Sequence, residues 1–358
     1  MQIRTKVLKE ELGKSGLNGY VITHTKNIYY FTGFLDIPDA KLFLILPLDG
    51  EPTLFTNPLS YSAACEKATG CTVKLVKSSE KIWEEISDQV RLLKLTRVGF
   101  DDMDVSLYLE LTKNLRNVDF QPRTELVWKL RRVKSDEEIG FIKRAAEFAD
   151  AGMKAGLEAA RAGAHEYEVA AGAEYEMRTR GSEGTAFETI VASGPRSAHP
   201  HGVCSDRMIR QGDLVILDIG GVYKGYKSDL TRTFVAGKPS SKQEEIFNLV
   251  LRAQNQAFQQ IKADIKASDL DGVARKAIEE KGYGDEFLHG LGHGVGLNIH
   301  EPPMLSKSSK DIIEEGNVIT VEPGIYIQGF GGVRIEDTVL VLRGNGQKLT
   351  KIPYTLMI

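Results

Sequence analysis

The stretch Leu214–Phe234, LVILDIGGVYKGYKSDLTRTF, sets an acidic residue inside an apolar run of the kind that forms a buried strand. Asp218 lies in this run, and Asp229 opens a second strand-like run, DLTRTF. A turn centred near Tyr223–Lys224 would place the two carboxylates directly opposite each other, with Cβ atoms roughly 4.5–5.5 Å apart. Two like charges so close in a core are costly unless a cation binds them.

A second pair of strand-like runs repeats this arrangement near the C-terminus. The runs VITVEPGIYI and VRIEDTVLVL flank the turn sequence QGFGG, and a turn centred on Gly329 sets Glu322 opposite Glu336. Arg232 and Arg334 could neutralise one such pair as an ion-pair network. Two facing carboxylate pairs, each in an otherwise apolar strand, favour a bound metal over that alternative.

Three of the seven histidines lie in the glycine-rich segment FLHGLGHGVGLNIHEPP, at His289, His293 and His300. A phosphate-binding dinucleotide fingerprint would open a helix, and two prolines follow this segment instead. Glycines between the histidines also disfavour a helical metal-binding pair. We therefore expect close backbone packing that lets one histidine bind a metal while the others point into a cleft. The loop SGPRSAHPHG adds His199 and His201, of which His201 is the predicted site residue.

Four carboxylates and one imidazole form an oxygen-rich set of ligands. Such ligands suit the harder divalent ions, so Mn²⁺ is the first choice and Co²⁺ and Zn²⁺ are alternatives. Four negative charges balance two divalent cations. Two ions roughly 3.5–4 Å apart can both polarise a bridging water and a substrate oxygen. The sequence therefore predicts a cofactor of two divalent metal ions per chain.

The composition is typical of a soluble protein with two domains. A chain of 358 residues exceeds one ordinary hydrophobic core. A net charge of −3 argues against a nucleic-acid partner. Three cysteines without a C-x-x-C pattern suit a reducing compartment, so we expect a cytoplasmic protein. No signal peptide and no membrane-spanning run is predicted.

The pattern of elements predicts two domains, 1–125 and 126–358. The first alternates helical and strand patterns, which predicts an α/β domain in which His24 is structural. The boundary falls near 121–134, before a capping box at Ser135–Glu138 that opens a long amphipathic helix. The second domain mixes strands with further helices predicted near 165–180, 241–261 and 268–281, so the whole chain is predicted to be α+β.

The ligand candidates, in chain order, resemble the pita-bread metallopeptidases, which include prolidase, aminopeptidase P and methionine aminopeptidase. The family pattern of two aspartates, a histidine and two glutamates matches Asp218 in LDIGG, Asp229 in YKSDLTRT, His293 in HGLGHGVGL, Glu322 in VEPGIY and Glu336 in VRIED. The segment NIYYFTGF is similar to the creatinase-type N-terminal domain, which methionine aminopeptidases generally lack. The resemblance implies a creatinase-like N-terminal domain followed by a pita-bread catalytic domain.

The resemblance also implies an activity and residue roles. The reaction would be hydrolysis of an X–Pro bond, a tertiary amide without the N–H that general peptidases grip. Glu322 would bind a metal and serve as the proton shuttle. The other implied catalytic residues are His201, His289, His300 and Arg334. The implied substrate-binding residues are His201, His300, Tyr326 and Arg334.

The remaining question within the family is substrate length. Prolidase takes dipeptides and aminopeptidase P trims longer peptides; the compact chain favours prolidase. In a homodimer, the family's N-terminal domain helps to close the partner's cleft. Here the loop Phe34–Ala40 offers Asp36 and Asp39, beside Lys41, to meet peptide termini, although a solvated loop is the alternative. Metal-free creatinase-like hydrolysis and a non-catalytic binding protein of the same fold are disfavoured because all five ligands are present.

Overall fold

A computed structural model of the chain describes residues 2–36, 41–78 and 82–357. They form two compact units, Met1–Arg131 and Arg132–Ile358. Within these described ranges, no helix combines the length and the apolar character that a membrane span needs. Asp39, a candidate for meeting peptide termini, lies outside the described residues.

The first unit contains one mixed sheet of six strands. These are β1 (Gly19–Ile22), β2 (Phe43–Pro47), β3 (Thr53–Thr56), β4 (Thr72–Leu75), β5 (Arg97–Phe100) and β6 (Asp119–Pro122). Their order is β4-β3-β2-β1-β5-β6, with β1–β2 and β2–β3 antiparallel and the other pairs parallel. Strands β1, β2 and β3 are buried along their whole length, as their continuous apolar sequences predict.

Six α-helices begin within the part of the first unit that the structure describes. They are α1 (Gln2–Lys14), α2 (Thr25–Thr32), α3 (Tyr61–Lys67), α4 (Ile82–Leu92), α5 (Val105–Asn114) and α6 (Thr124–Arg132). Helix α2 was not identified from the sequence, because its β-branched and aromatic residues are weak helix formers. The Nδ1 atom of His24 accepts a hydrogen bond from the Lys26 backbone N–H, 3.3 Å away, at the start of this helix. His24 therefore has the structural role that was predicted.

Among its described residues, the second unit contains four α-helices, α7 (Asp136–Ala159), α8 (Glu166–Thr179), α9 (Ser241–Gln260) and α10 (Ala267–Glu279), and two short 3₁₀-helices, Gly194–Ala198 and Gly284–Glu286. The predicted capping box opens α7: the Glu138 backbone N–H donates to Ser135 Oγ, and the Ser135 N–H donates to Glu138 Oε2 at 2.9 Å. Ser240 and Gln243 form a second capping box at the start of α9. Helix starts were therefore set by local chemistry that the sequence displays.

The strands of the second unit all pair antiparallel. They are β7 (Ile190–Ser193), β8 (Leu214–Ile219), β9 (Val222–Tyr223), β10 (Tyr226–Lys227), β11 (Leu230–Val235), β12 (Gly292–Gly294), β13 (Glu301–Leu305), β14 (Val318–Val321), β15 (Gly324–Ile327), β16 (Gly331–Arg334), β17 (Asp337–Val341) and β18 (Gly346–Lys348). They form a three-stranded sheet, β11-β8-β7, a five-stranded sheet, β13-β12-β14-β17-β18, and the hairpins β9–β10 and β15–β16.

Two apolar cores hold these elements together. Helices α7 and α8 pack with β8 and β11 in one core, through Met153, Met177, Leu217 and Phe234 among others. Helices α9 and α10 pack with β14 and β17 in the other. Each core covers one sheet, so the opposite sheet faces are left to carry polar side chains.

Candidate metal centre

Asp218 lies on β8 between two core residues. Leu217 and Ile219 face helices α7 and α8, and because side chains alternate along a strand, Asp218 points to the other face. Its partner across the ladder is Thr231. The expectation that Asp229 would lie directly opposite Asp218 is therefore wrong. Asp229 comes just before β11, two residues from that partner, so the two aspartates are diagonal neighbours.

The position of the turn explains this difference in register. The β9–β10 hairpin pairs Tyr223 with Tyr226, so its turn is Lys224–Gly225, one residue later than predicted. Both turn residues have positive φ, 50° at Lys224 and 73° at Gly225. A two-residue turn of this type needs positive φ twice, and a glycine at the second position meets that need without strain. Gly225 was a local signal of the observed turn position that the sequence analysis did not use.

Glu322 and Glu336 lie where a sheet ladder is interrupted. On one side of them β14 pairs with β17, with Val321 opposite Asp337. On the other side β15 pairs with β16, with Gly324 opposite Arg334. Both ladders have the register expected for a turn centred on Gly329, and extending either one places Glu322 opposite Glu336. The predicted register is thus confirmed, although each predicted strand is divided at its glutamate into two shorter ones.

His293 lies on the short strand β12, which is flanked by glycines. A Cβ atom at Gly292 would lie 2.3 Å from the Thr320 carbonyl oxygen, so only glycine allows β12 to approach β14 this closely. The His293 backbone N–H donates to Thr320 Oγ1 at 3.0 Å, and its Nδ1 lies 3.1 Å from the Gly294 carbonyl oxygen. These contacts direct Nε2 toward the carboxylates. Close backbone packing was the role predicted for the glycines.

All five predicted metal ligands line one cavity of about 430 Å³. Within it, ligand atoms of Asp229, His293 and Glu336 lie within 4.8 Å of one another, the spacing of a group that could hold an ion. His293 Nε2 lies 3.7 Å from Asp229 Oδ2 and 3.3 Å from Glu322 Oε1. Asp218 lines the same cavity outside that tight group. The ligand set that the sequence predicted therefore converges.

Two carboxylate oxygens in this cavity suit a metal ion. Asp218 Oδ1 and Glu336 Oε1 are buried and have no hydrogen-bond partner among the described residues. A buried charged oxygen without a partner is costly, and a cation in contact with it removes that cost. Together with the imidazole Nε2 of His293, these oxygens form a donor set that fits a divalent ion.

Without a bound ion, the carboxylates oppose one another's ionisation. Burial, followed by the charges of Glu336 and Asp218, raises the pKa of Asp229 well above its usual value. Burial and then the charges of Glu322 and Asp218 do the same to the pKa of Glu336. This is the pattern of like charges held close together in a dry site. A divalent cation would reverse it by favouring the ionised forms.

Glu322 differs from these two carboxylates because it faces His293. Burial alone would raise its pKa, but the hydrogen bond and charge of His293 lower the pKa of Glu322 to about 2. The hydroxyl of Thr320 also donates to Glu322 Oε1 at 3.1 Å. Glu322 is therefore ionised at neutral pH and can accept a proton.

A chain of hydrogen bonds links Asp218 to the cavity wall. Arg334 Nη2 donates to Asp218 Oδ2 at 2.6 Å, and Arg334 Nη1 donates to the Tyr326 hydroxyl at 2.8 Å. The Tyr326 oxygen lies 2.9 Å from His289 Nε2, and His289 Nδ1 lies 2.8 Å from the Gly290 carbonyl. Burial lowers the pKa of His289, so its neutral ring donates from Nδ1 and accepts the tyrosine proton at Nε2.

This chain engages three residues to which the resemblance gives catalytic or substrate-binding roles. Tyr326 is buried and is not among the residues that line the cavity described here, so its contact with substrate stays a prediction. Its hydroxyl is already bonded to Arg334 and His289. His289 does line the cavity, but both of its ring nitrogens have protein partners. Arg334 also lines it, with four guanidinium hydrogen bonds to protein atoms.

The remaining candidate histidines differ in whether they line the cavity. His201 and His300 are exposed on the cavity wall. Burial and the neighbouring His293 lower the pKa of His300, and His201 adds to this effect. His199 is exposed and is not part of the cavity lining described here. The structure thus brings together every predicted ligand and both predicted wall histidines.

Three threonines that the sequence analysis did not identify form hydrogen bonds to the predicted ligands. Thr231 Oγ1 donates to Glu336 Oε2 at 2.7 Å, and Thr320 Oγ1 donates to Glu322. Thr338 Oγ1 donates to the Asp229 carbonyl at 2.7 Å and accepts from its N–H. Each lies two residues from an acidic ligand, on the same strand face. That spacing was a signal available in the sequence.

Arg232 and Arg334 have different partners. Arg334 neutralises Asp218, as the ion-pair alternative suggested. Arg232 instead pairs with Asp337, with Nη2 2.9 Å from Oδ1, and also donates to the Glu336 carbonyl. Among the residues that the structure describes, the other three carboxylates therefore have no arginine as an ion-pair partner. The metal interpretation is the stronger one for those three.

Comparison with known proteins gives this site a family. Residues 140–343 match metallopeptidase family M24, and residues 4–133 match the creatinase/prolidase N-terminal domain. The chain belongs to metallopeptidase family M24. Its fold is accordingly a creatinase-type N-terminal domain followed by a pita-bread catalytic domain, and its activity is that of a peptidase that depends on divalent metal.

Similar proteins cover the whole chain. An Xaa-Pro dipeptidase of Pyrococcus furiosus is 42% identical over 100% of both chains. The structure of an Xaa-Pro dipeptidase from Bacillus anthracis matches with a TM-score of 0.94 at 37% identity, covering 100% of this chain and 99% of that one. An X-Pro aminopeptidase from Thermotoga maritima matches with a TM-score of 0.87 at 34% identity, covering 96% and 98%.

Proposed function

We propose that this metallopeptidase hydrolyses the bond between an N-terminal residue and proline in Xaa-Pro dipeptides. The convergence of two aspartates, two glutamates and a histidine in one cavity is the observation that carries the chemistry. The dipeptidases of Pyrococcus furiosus and Bacillus anthracis, which match over the full chain, support the substrate. Trimming of longer peptides, as in aminopeptidase P, is the second candidate, and the Thermotoga maritima aminopeptidase is its support.

The proposed ligands of two divalent ions are Asp218, Asp229, His293, Glu322 and Glu336. Bound ions of this kind supply a water that is ionised near neutral pH and polarise the carbonyl of the scissile bond. The oxygen-rich ligand set favours Mn²⁺. The buried oxygens of Asp218 and Glu336 that lack protein partners support this assignment.

The chain's own residues would then perform the proton transfers. Glu322 is ionised at neutral pH, so its carboxylate can accept a proton from the attacking water. It can pass the same proton to the proline nitrogen, which must be protonated to leave. Thr320 donates to Glu322 Oε1 and His293 faces it, so the carboxylate is oriented before substrate arrives.

The wall histidines would position the substrate. We propose that His201 and His300 donate hydrogen bonds to the peptide, because both are exposed on the cavity wall. His289, Tyr326 and Arg334 would act behind them by holding Asp218 in place. Their direct contact with substrate is not part of this proposal, since their polar atoms are engaged by protein.

Several finer features extend the proposal. Residues 1–125 would be the creatinase-like domain and residues 126–358 the catalytic one. The three cysteines, Cys65, Cys71 and Cys204, are free, which supports a reducing, cytoplasmic location. Homodimerisation follows only from the resemblance to the family, in which a partner helps to close the cleft.

Substrate length is tested by comparing Ala-Pro with Ala-Pro-Ala. We expect kcat/KM for the dipeptide to exceed that for the tripeptide by at least about tenfold, because unfavourable placement of an extra residue easily costs 1.4 kcal/mol. Steady-state kinetics with Mn²⁺-loaded protein gives both values. Efficient cleavage of the tripeptide would replace the dipeptidase assignment with that of an aminopeptidase.

His300→Ala is expected to keep its metal and lose turnover. Removing a positioned proton donor typically costs about 100-fold or more, so kcat/KM should fall by that order. Metal content per chain, measured by atomic emission, should equal that of the wild type. His199→Ala is the matched control: its side chain is exposed outside the cavity lining, and kcat/KM should stay within about twofold. Loss of metal in His300→Ala would make His300 a ligand instead.

A further inference from the structure

Glu166 is a completely buried carboxylate whose partners all lie in one distant segment. It is the first residue of α8, yet its side chain accepts from the backbone N–H and the hydroxyl of Ser193, at 2.8 and 2.7 Å. It also accepts from the N–H and hydroxyl of Ser205, at 3.0 and 2.6 Å. The guanidinium of Arg196 provides a fifth donor and neutralises the charge. All five hydrogen bonds involve the charged carboxylate and are strengthened by its charge. They therefore offset the free-energy cost of burying it.

These partners enclose the loop that forms one wall of the cavity. We call residues 194–204, between Ser193 and Ser205, the wall loop. Pro200, His201 and Val203 of this loop line the cavity. Arg196 Nη2 also donates to the Val203 carbonyl at 2.8 Å, so one cation joins Glu166 to the far side of the loop. Glu166 therefore ties the two ends of the wall loop together.

The wall loop also contacts the proposed metal-site scaffold. The Pro200 carbonyl accepts from Arg334 Nη1 at 3.2 Å, and Arg334 donates to Asp218. The hydroxyl of Ser197 accepts from the Gly332 N–H at 2.8 Å. These contacts hold the loop next to β16. The side chain of His201 itself has no hydrogen-bond partner among the described residues, so its position depends on how firmly the loop backbone is held.

We propose that Glu166 is a positioning residue for the wall loop and, through it, for His201. This inference rests on the proposed peptidase function only in the role given to His201. Glu166 lies outside the cavity lining described here and does not reach substrate or metal ligands. Its contribution would be to keep the backbone on either side of His201 at the distance that productive binding requires. A misplacement of about 1 Å at such a position can cost about 100-fold in rate.

Glu166→Gln is the first test because glutamine has nearly the same shape as glutamate. It replaces a carboxylate, whose two oxygens only accept hydrogen bonds, by an amide with one acceptor oxygen and one donor N–H₂ group. Donors that faced the second oxygen then face an amide N–H₂ and lose their acceptor. We expect hydrogen–deuterium exchange to rise in the peptides covering the wall loop and kcat/KM for Ala-Pro to fall about 10- to 100-fold. Metal content should not change, since no ligand is touched.

A double-mutant cycle with His201→Ala separates positioning from general support of the fold. If Glu166 acts through His201, Glu166→Gln should lower kcat/KM by less than about twofold in the His201→Ala background. Equal losses in both backgrounds would overturn the proposal, as would unchanged exchange in the wall loop. Should Glu166→Gln not fold, Ser205→Ala removes a single donor to Glu166, and the same cycle applies with smaller losses.

The matched control is Asp101→Asn in the first unit. Asp101 is also buried and accepts from several donors, among them the Thr23 N–H at 2.8 Å and Asn27 Nδ2 at 2.8 Å. Asp101→Asn should lower thermal stability while leaving wall-loop exchange unchanged and kcat/KM within about twofold. The exchange measurement needs no activity. A wild-type protein inactive on Ala-Pro would therefore refute the dipeptidase function, whereas an active wild type with equal losses in both backgrounds would refute only the role of Glu166.

Discussion

Asp229→Asn is expected to abolish most activity. Altering a residue that merely supports a metal ligand typically costs 10- to 100-fold, so removing the charge of a ligand should cost more than about 100-fold in kcat/KM. Asp229 belongs to the tightest group of candidate ligand atoms, with His293 and Glu336. The measurement is kcat/KM for Ala-Pro together with the number of metal ions retained per chain.

The same substitution should stabilise the metal-free protein at neutral pH. Burial and the charges of Glu336 and Asp218 raise the pKa of Asp229. A carboxyl whose folded pKa is raised holds a proton that the unfolded chain has already released, so stability falls as pH rises above the unfolded value of about 3.9. Asparagine removes this loss. The metal-free variant should therefore melt at a higher temperature than metal-free wild type at pH 7, and the difference should shrink toward pH 4.

These opposite effects on activity and metal-free stability distinguish a metal ligand from a residue needed for folding. Asp269→Asn is the control, because it removes the same charge from an exposed position on α10. It should leave kcat/KM unchanged, and because Asp269 lies in the first turn of α10, loss of its charge should lower the melting temperature slightly and not raise it. Activity of Asp229→Asn near that of wild type would rule out Asp229 as a ligand.

Removal of metal should lower the melting temperature of the wild-type protein by about 5–10 °C. A ligand present at 100 times its dissociation constant stabilises the folded state by about 2.7 kcal/mol, and each kcal/mol shifts a unit of this size by about 2–4 °C. Three carboxylates face the cavity and have no arginine partner among the described residues. Loss of the cations therefore leaves the repulsion between these carboxylates uncompensated. Calorimetry before and after dialysis against a chelator measures the shift, and added Mn²⁺ should restore it.

The chelation experiment also separates an enzyme from a non-catalytic binding protein of the same fold. About two divalent ions per chain, lost together with activity, would support the enzyme. A protein that binds no ions and melts at the same temperature in chelator would contradict the shared metal site. Glu336→Gln tests whether the shift in melting temperature arises at this site. With one proposed ligand fewer, the melting temperature of this variant should fall less when chelator is added.

The two carboxylate pairs show how far local sequence can predict a site. For Glu322 and Glu336, the turn residues around Gly329 located the centre of the hairpin, and the register followed. For Asp218 and Asp229, the predicted turn lay one residue too early. The prediction therefore paired Asp218 with Asp229, whereas its ladder partner in the structure is Thr231. Register depends on turn geometry, so a one-residue error moves a predicted partner by two positions. The alternation of buried and cavity-facing residues was unaffected.

The roles of residues behind the cavity could not be predicted from neighbours in sequence. Thr231 and Glu336 are 105 residues apart, and Arg334 and Asp218 are 116 apart. Whether a tyrosine such as Tyr326 contacts a substrate or a buried arginine depends on how these distant strands pack. Glu166 shows the same point, because nothing near it in sequence indicates that it holds a loop some 30 residues away.

The sequence by itself determined the five predicted ligands and their order in the chain, the capping boxes and which strand faces are apolar. These follow from side-chain chemistry and from periodicity within short segments. Only the tertiary structure decided which ligand atoms approach within 4.8 Å, which carboxylate Arg334 neutralises and which histidines remain free to meet a substrate. Those outcomes depend on contacts between strands far apart in the chain, whose relative positions are set by the packing of the two sheets and their helices.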